Sequence, residues 1–587
     1  MNSAKSADLY YRLNLVLDGF NPTRWSDIAQ ILKQIKTADY LSQQLDKQNY
    51  LAQFAKGTAF ITFDFGIDGV SIEISKYAQT LEDIYSPFSE VSLHLIAGNF
   101  HTEASSVLSD NWSRFQIQGI NGWNKWEGGK WFRALFEKEI KSNSQESKDL
   151  AIEIFRQAIS IAKRLGKYLI DNQIALLIPV NIASNPGNMA LTLGVVLLTE
   201  VLGTSVLNSN HDFYWESGKP SQERGAGERP GLRDHFFRNL NHKPFFSLFQ
   251  SLYPWNGNRW LQVNINSRQS RRLINRFGLP KEKIYEISTS IGDQFFEPYN
   301  DKDVKYARLR MAHILSNGKA QLQPISIYQY LSKLDEWMLD QRPIIVGARP
   351  GLSIDPESDN LIILLQPTRI IARKRIERNI DLIRALMKRS QLGKEFERNP
   401  ARQLVLHITG PTPKEHQKDL EKILVAYKRL VEKLPEDIAQ RIFVAFSVGQ
   451  DDHPSFSKHQ FAPLTIDAIY RMANAVVFPS ETEGRGLPII EASAIGIPII
   501  CSRYHPLKVF RAVIGRGLPE ELQIHYTFFP EGLFPPRFLE KVSRILLSSR
   551  EDLNSVAHNK TAVQVRYSRQ ALKNKFEHLL AQCSSLL

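Results

Sequence analysis

The sequence predicts an α/β protein of two doubly wound parallel-sheet domains in series, and three observations carry that prediction. Apolar strands alternate with amphipathic helices along most of the chain; the rhythm breaks between residues 303 and 351 and then restarts; and 587 residues exceed one ordinary domain. Strands apolar on both faces imply a parallel sheet covered by helices on each side.

The first fifty-odd residues read as helical, over 8–17, 26–35 and 38–54, and form an N-terminal extension, 1–55. The β-rich run 58–64 stops at Gly66, Asp68 and Gly69 before an amphipathic helix over 70–81. Strands over 91–96 and 115–118, a helix over 147–171, a strand over 174–180, a helix over 189–201 and a short strand over 204–207 follow, the last leading to His211 and Asp212. Strand 261–265, helix 269–277 and strand 283–287 complete a first domain placed at 56–320. After a connector, 321–350, a second domain at 351–530 begins with strand 361–365, a basic turn and helix 379–390. Strand 403–409, helix 414–433, strand 442–446, helix 466–472, strand 475–478, helix 489–495 and strand 497–501 complete it. The tail, 531–587, reads as helical and is expected to pack back on the first domain.

Hydrophobic residues are 43% and charged residues 23%, the balance of a soluble globular protein. No apolar run reaches the roughly 18 residues that cross a bilayer, and the N-terminus is polar instead of signal-like, so a cytoplasmic location is expected. Two cysteines, Cys501 and Cys583, offer neither a disulfide framework nor metal-ligand spacing. The net charge of +13 invites an anionic partner, but the basic runs 268–276, 369–378 and 541–575 carry apolar residues at helical spacing and read as ordinary helix faces.

The segment 476–502 carries the chemistry. A strand ends, a glycine loop follows (Glu481-Thr-Glu483-Gly484-Arg485-Gly486), and Pro488 stands where a first helical turn tolerates proline, so a helix begins near Leu487. Its free N–H groups and positive dipole end suit a diphosphate. Glu483 and Glu491, eight positions apart, offer one carboxylate to a sugar and one to a ribose. In the turn 366–374, Arg369 and Lys374 follow a strand and can clamp a leaving diphosphate, whereas Arg373, Arg375 and Arg378 read as a helix face. His211 stands at a strand end with Asp212 beside it. Trp123, Trp126 and Trp131 suit sugar stacking and core packing equally.

The segment resembles the C-terminal signature of the large retaining glycosyltransferase family that includes glycogen, sucrose and phosphatidylinositol-mannoside synthases, here with the spacing Glu483-x7-Glu491 and with Arg485 in place of the usual aromatic residue. The resemblance implies the GT-B fold, two facing Rossmann-like domains with an inter-domain cleft. It implies transfer of a hexose from a UDP-, GDP- or ADP-sugar to a hydroxyl acceptor with retention of the anomeric configuration. It assigns catalysis to Glu483, His211, Arg369 and Lys374, with His211 on the transferred sugar. It assigns donor binding to Glu491, Gly484, Gly486, Leu487 and the first glycine turn, Gly66 and Gly69. The acceptor, a small molecule, glycan or lipid-linked compound, is expected on loops 119–132 and 217–255, and peripheral membrane contact is compatible with it.

No obligatory cofactor or metal is expected, because Asp301-Lys-Asp303 lies in a charged stretch away from any strand. Phosphate-loop, zincin and serine-hydrolase motifs are absent. The rivals are a sugar-nucleotide epimerase or phosphorylase of the same fold, and a non-catalytic basic protein binding nucleic acid or anionic lipid. No aromatic platform accompanies the basic runs, so nucleic acid is not an expected partner.

Overall fold

The computed structural model describes all residues except 1–2, 39, 42–45, 47, 67, 217–237, 240, 320, 413–415, 448–451, 549–553 and 586–587. The chain divides into two compact units, one of Met1–Thr289 with Leu572–Leu587 and one of Ser290–Ala571.

The first unit holds β1 (Thr58–Ile61), β2 (Asp64–Phe65), β3 (Leu93–Ala97), β4 (Asn99–Phe100), β5 (Ser113–Gln116), β6 (Leu176–Pro179), β7 (Ser205–Asn210), β8 (Trp260–Asn264) and β9 (Ile284–Glu286). Seven of these form a sheet in the order β5-β3-β1-β6-β7-β8-β9, parallel throughout, while β2 and β4 pair separately. Alternate residues feed two cores. Ala59, Ile61, Leu177 and Val206 join one, and Phe60, Leu176, Ile178 and Leu207 the other, so both sheet faces are covered.

Helices Gln145–Asp171 and Met189–Leu202 pack closely because Gly194 stands against Ala158, whose carbonyl oxygen would lie 2.7 Å from a β-carbon there. The N-terminal stretch is part of this core, not an appendage: Leu13 and Leu17 of helix Ser3–Asp18 and Trp25 and Ile28 of helix Trp25–Thr37 are buried in it. Of the helix expected over 38–54, residues 39, 42–45 and 47 lie outside the described residues. Among the described ones, Ala38 is extended, Asp46 accepts from Gln48 N–H and the Asn49 side chain, a turn that competes with helix, and Tyr50–Lys56 is helical.

The second unit holds β10 (Ile325–Ser326), β11 (Ile344–Gly347), β12 (Leu361–Gln366), β13 (Gln403–Thr409), β14 (Ile442–Ser447), β15 (Ala475–Phe478), β16 (Ile499–Cys501) and β17 (Thr527–Phe528). They form a sheet ordered β10-β11-β14-β13-β12-β15-β16-β17, parallel except where β11 meets β14. Here too successive residues alternate between cores, Leu361, Ile363 and Leu365 in one and Ile362 and Leu364 in the other. The stretch read as a connector supplies β10, β11 and helices Ile327–Ser332 and Leu334–Asp340 to this unit. Asp303 closes a capping box with Asn300 at the start of helix Asp301–Leu315. Of the tail, helices Pro536–Leu547 and Asn554–Tyr567 contribute Leu539, Val542, Val563 and Tyr567 to the second unit's cores, while Leu572, Phe576, Leu579 and Leu580 enter a core of the first.

The strand order reverses between β1 and β6 in the first sheet and between β12 and β15 in the second. The loops leaving the carboxyl ends at such a reversal diverge to opposite faces and open a crevice.

Candidate functional site

In the second unit the reversal is flanked by the turn after β12 and the loop after β15. Gln366, the last residue of β12, is fixed by Asn379 (2.8 Å) and donates to Thr368 (2.8 Å). Ile370 N–H donates to Pro411 O, and Gly410, with φ +138°, lets the turn pass where a β-carbon would lie 2.8 Å from the Thr368 backbone. A 3₁₀ turn, Ala372–Lys374, then buries Lys374.

The loop after β15 is stitched to that turn and to residue 505. Glu481 N–H donates to Arg373 O (2.8 Å), Arg373 Nη1 donates to Thr482 O (2.8 Å), and Glu483 N–H donates to His505 O (2.9 Å). The outcome is a hydrogen-bonded ion pair between Lys374 Nζ and Glu483 Oε1, each side chain 9% exposed. Burial draws the Lys374 ammonium below its ordinary range, Glu483 opposes this, and the neighbouring charges of Arg373 and Arg369 reinforce it. Lys374 also sits 5.7 Å from the centre of the Phe478 ring.

Helix Leu487–Ile495 starts at this pair. Gly486 caps it with φ +67°, a conformation glycine adopts without strain, and a β-carbon there would lie 2.1 Å from the Tyr504 hydroxyl. No side chain caps this end, Pro488 has no N–H, and the Ile489 N–H donates to Gly486 O (3.1 Å), so what the helix start offers an anion is chiefly its positive dipole end. Gly484 is exposed with open space around it, and Leu487, the first helical residue, is half-buried. Glu491 accepts from the Tyr470 hydroxyl (2.6 Å), whose own ionisation is suppressed by burial and by that carboxylate.

The structure thus brings Lys374, Glu483 and Gly486 together, sets Glu491 against Tyr470, and leaves Arg369 exposed on the turn, close enough for its charge to act on Lys374. The reading of Arg373, Arg375 and Arg378 as a helix face is corrected. Arg373 holds Thr482, Arg375 bridges Glu377 and Glu481, and Arg378 donates to Pro530 and Gly532 carbonyls. Each of these arginines meets at least one partner about a hundred residues or more away, which helical spacing cannot reveal. Tyr470, Tyr504 and His505 carried no local signal.

In the first unit, Asp68 caps helix Gly69–Tyr85 by accepting from Ser71 N–H (2.8 Å), and Gly66 N–H donates to Ser71 Oγ (3.2 Å). A β-carbon at Gly69 would meet nothing and one at Gly66 only the His101 ring at 3.7 Å, so the turn is open beside its backbone. Asp64 accepts from Asn121 (2.6 Å) and Lys125 (3.3 Å).

His211 is buried just past β7, its carbonyl accepting from Gln269 (3.0 Å). Asp212 is tied by its backbone N–H to Asn181 Oδ1 (3.0 Å), on the loop after β6. Gln269 also donates to Glu216 (2.8 Å), whose carboxyl is pushed up by burial. Trp126 and Trp131 are core residues, donating to Gln157 and Glu127, while Trp123 is half-buried with φ +57°. Most of the loop 217–255 expected to meet an acceptor lies outside the described residues.

Residues 447–511, which contain the loop after β15 and the helix Leu487–Ile495, match the family model of glycosyl transferases group 1. No curated protein matches the chain. Among solved structures, Anabaena HepE in complex with UDP and glucose aligns at 10% identity over 89% of this chain and 99% of that one, with TM-score 0.45. Sucrose-phosphate synthase from Thermosynechococcus elongatus aligns at 14% identity over 90% and 99%, with TM-score 0.46. The catalytic domain of Arabidopsis thaliana starch synthase IV, bound to ADP and acarbose, aligns at 11% identity over 90% and 99%, with TM-score 0.46.

Two Rossmann-like units, the composition of the GT-B fold, and a group 1 segment at the strand reversal of the second define the class of the chain, a glycosyltransferase. No helix among the described residues is long and apolar enough to cross a membrane.

Proposed function

We propose that the chain transfers a hexose from a nucleoside diphosphate sugar to a hydroxyl acceptor with retention of the anomeric configuration. The observation that carries this is the buried Lys374–Glu483 pair at the uncapped start of helix Leu487–Ile495. Without donor the two charges satisfy one another. A diphosphate at the helix start takes the Lys374 ammonium as its counter-ion, with Arg369 adding charge from the turn, and frees Glu483 to accept from hydroxyls of the sugar.

As the glycosidic bond breaks, negative charge grows on the leaving diphosphate, and the cations and the positive end of the helix dipole stabilise it. Stabilisation that strengthens along the reaction coordinate lowers the barrier. Glu491, oriented by Tyr470, takes the ribose hydroxyls. Gly66 and Gly69 serve donor phosphates or acceptor, and His211 contacts the transferred sugar. The acceptor is a small molecule, a glycan or a lipid-linked compound. Retention follows if the departing phosphate takes the acceptor's proton on the face it leaves.

The test is a thermal-stability screen with UDP-, GDP- and ADP-sugars, followed by turnover with the donor that stabilises most. Glu483→Gln, Glu491→Gln, Arg369→Ala and Lys374→Ala are each expected to lose about a hundred-fold or more in kcat. Normal turnover in all four overturns the assignment.

A further inference from the structure

The Lys374–Glu483 pair has a third neighbour, Tyr504. Backbone hydrogen bonds fix that residue beside the loop after β15: Glu483 N–H donates to His505 O (2.9 Å), and His505 N–H donates to Glu481 O (2.6 Å). Tyr504 is 1% exposed, its ring set edge-on to Phe478 (6.1 Å) and Phe510 (5.1 Å). Phe478 is also the ring that Lys374 Nζ approaches to 5.7 Å, so the lysine and the tyrosine share one aromatic wall. The Tyr504 hydroxyl lies against the Gly486 backbone, where a β-carbon would stand 2.1 Å from it, three residues along the loop from Glu483.

That hydroxyl is buried and makes no hydrogen bond. A buried donor without an acceptor is destabilising, and a charged acceptor is the strongest remedy. Burial, with the neighbouring Cys501 and Glu483, holds the phenol protonated and so a donor. Glu483 is within electrostatic reach of it, but in the ligand-free chain its carboxylate is paired with Lys374. On the donor reading given above, a diphosphate claims the Lys374 ammonium, and Glu483, 9% exposed, must find another donor for its charge.

We propose that Tyr504 is a positioning residue of the donor site, whose hydroxyl receives Glu483 when the diphosphate draws Lys374 away and leaves the second carboxylate oxygen aimed at the sugar. The role rests on that donor reading. The hydroxyl is then unsatisfied without ligand and satisfied with it, so its removal acts with opposite sign on the two states.

Thermal unfolding, and calorimetric titration of the full chain with UDP, GDP and ADP, test this. Tyr504→Phe is expected to raise the unfolding midpoint of the ligand-free protein, because the orphaned hydroxyl is gone. It is also expected to weaken the tightest-binding of the three diphosphates about ten-fold, a pairing of effects that a packing role does not give. In a Glu483→Ala background, Tyr504→Phe should leave that affinity unchanged, since the acceptor is missing. In a Lys374→Met background, where Glu483 has no ammonium to hold it and turns to Tyr504 without ligand, the same substitution should lower the midpoint. Binding of none of the three diphosphates overturns the donor reading and this role with it. Where a diphosphate does bind, wild-type affinity in Tyr504→Phe, an equal loss in the Glu483→Ala background, or a midpoint raised equally with and without Lys374 overturns the role alone.

Discussion

At the scale of the residue, the site depends on Gly486 and on the Lys374–Glu483 pair. Gly486→Ala forces an αL conformation and drives a β-carbon toward the Tyr504 hydroxyl, so a loss of about 1–2 kcal/mol from the backbone alone is expected, with more from the clash. Adding Tyr504→Phe removes the nearest clashing atom and is expected to restore part of the lost thermal midpoint. No restoration would mean the contact does not limit that position. For the ion pair, Lys374→Gln or Glu483→Gln alone strands a buried charge and is expected to cost about 2–3 kcal/mol. The double variant should cost clearly less than the sum, and strictly additive losses in denaturant titration would rule out the coupling. Much of this site was legible in the sequence because glycine, proline and glutamate at fixed spacing in one loop announce a strand, a tight turn and a helix start. Tyr470 and Tyr504 were not, because what fixes them is packing against residues roughly twenty positions away in the chain.

At the scale of the element, β13 carries His407 fully inside the second sheet, its Nε2 2.9 Å from Ser447 Oγ. Burial lowers its pKa to about 3, against 6.5 when unfolded. The unfolded chain therefore takes up a proton first as pH falls. The stability from keeping this ring neutral is fully present above pH 6.5 and is lost progressively down to about 3. Between pH 6.5 and 5 the loss is about 2 kcal/mol, and His407→Gln should remove that part of the slope in denaturant unfolding of the second unit. Identical slopes in the two proteins would refute it. Strands such as β12 and β13 were legible because burial of both faces leaves an unbroken apolar run. β11 was hidden because it runs antiparallel in a stretch without the strand-helix rhythm, and β2, β4, β10 and β17, two residues each, are too short to leave a pattern.

At the scale of the whole molecule, the chain leaves the first unit after Thr289 and returns to it at Leu572. Removing the residues from Leu572 onward takes Leu572, Phe576, Leu579 and Leu580 from a core of the first unit, a loss of roughly 6–12 kcal/mol at 1.5–3 kcal/mol per buried side chain. Calorimetry of the shortened chain is expected to show the first unit's transition lowered or absent and that of the second retained; an unchanged first transition would contradict the assignment. An amphipathic helix announces that it covers a sheet, not which one, so this return was only partly legible in the sequence. The second unit is thus inserted within the first, and Ile291 N–H donates to Tyr567 O (2.8 Å) near the two ends of the insert. On a ribosome the inserted unit has all its strands before the enclosing one has received its final helix. The earlier-made polypeptide must therefore wait, incompletely closed, for the later-made one, and shielding of its exposed apolar face during translation falls to a chaperone or to the nascent chain itself.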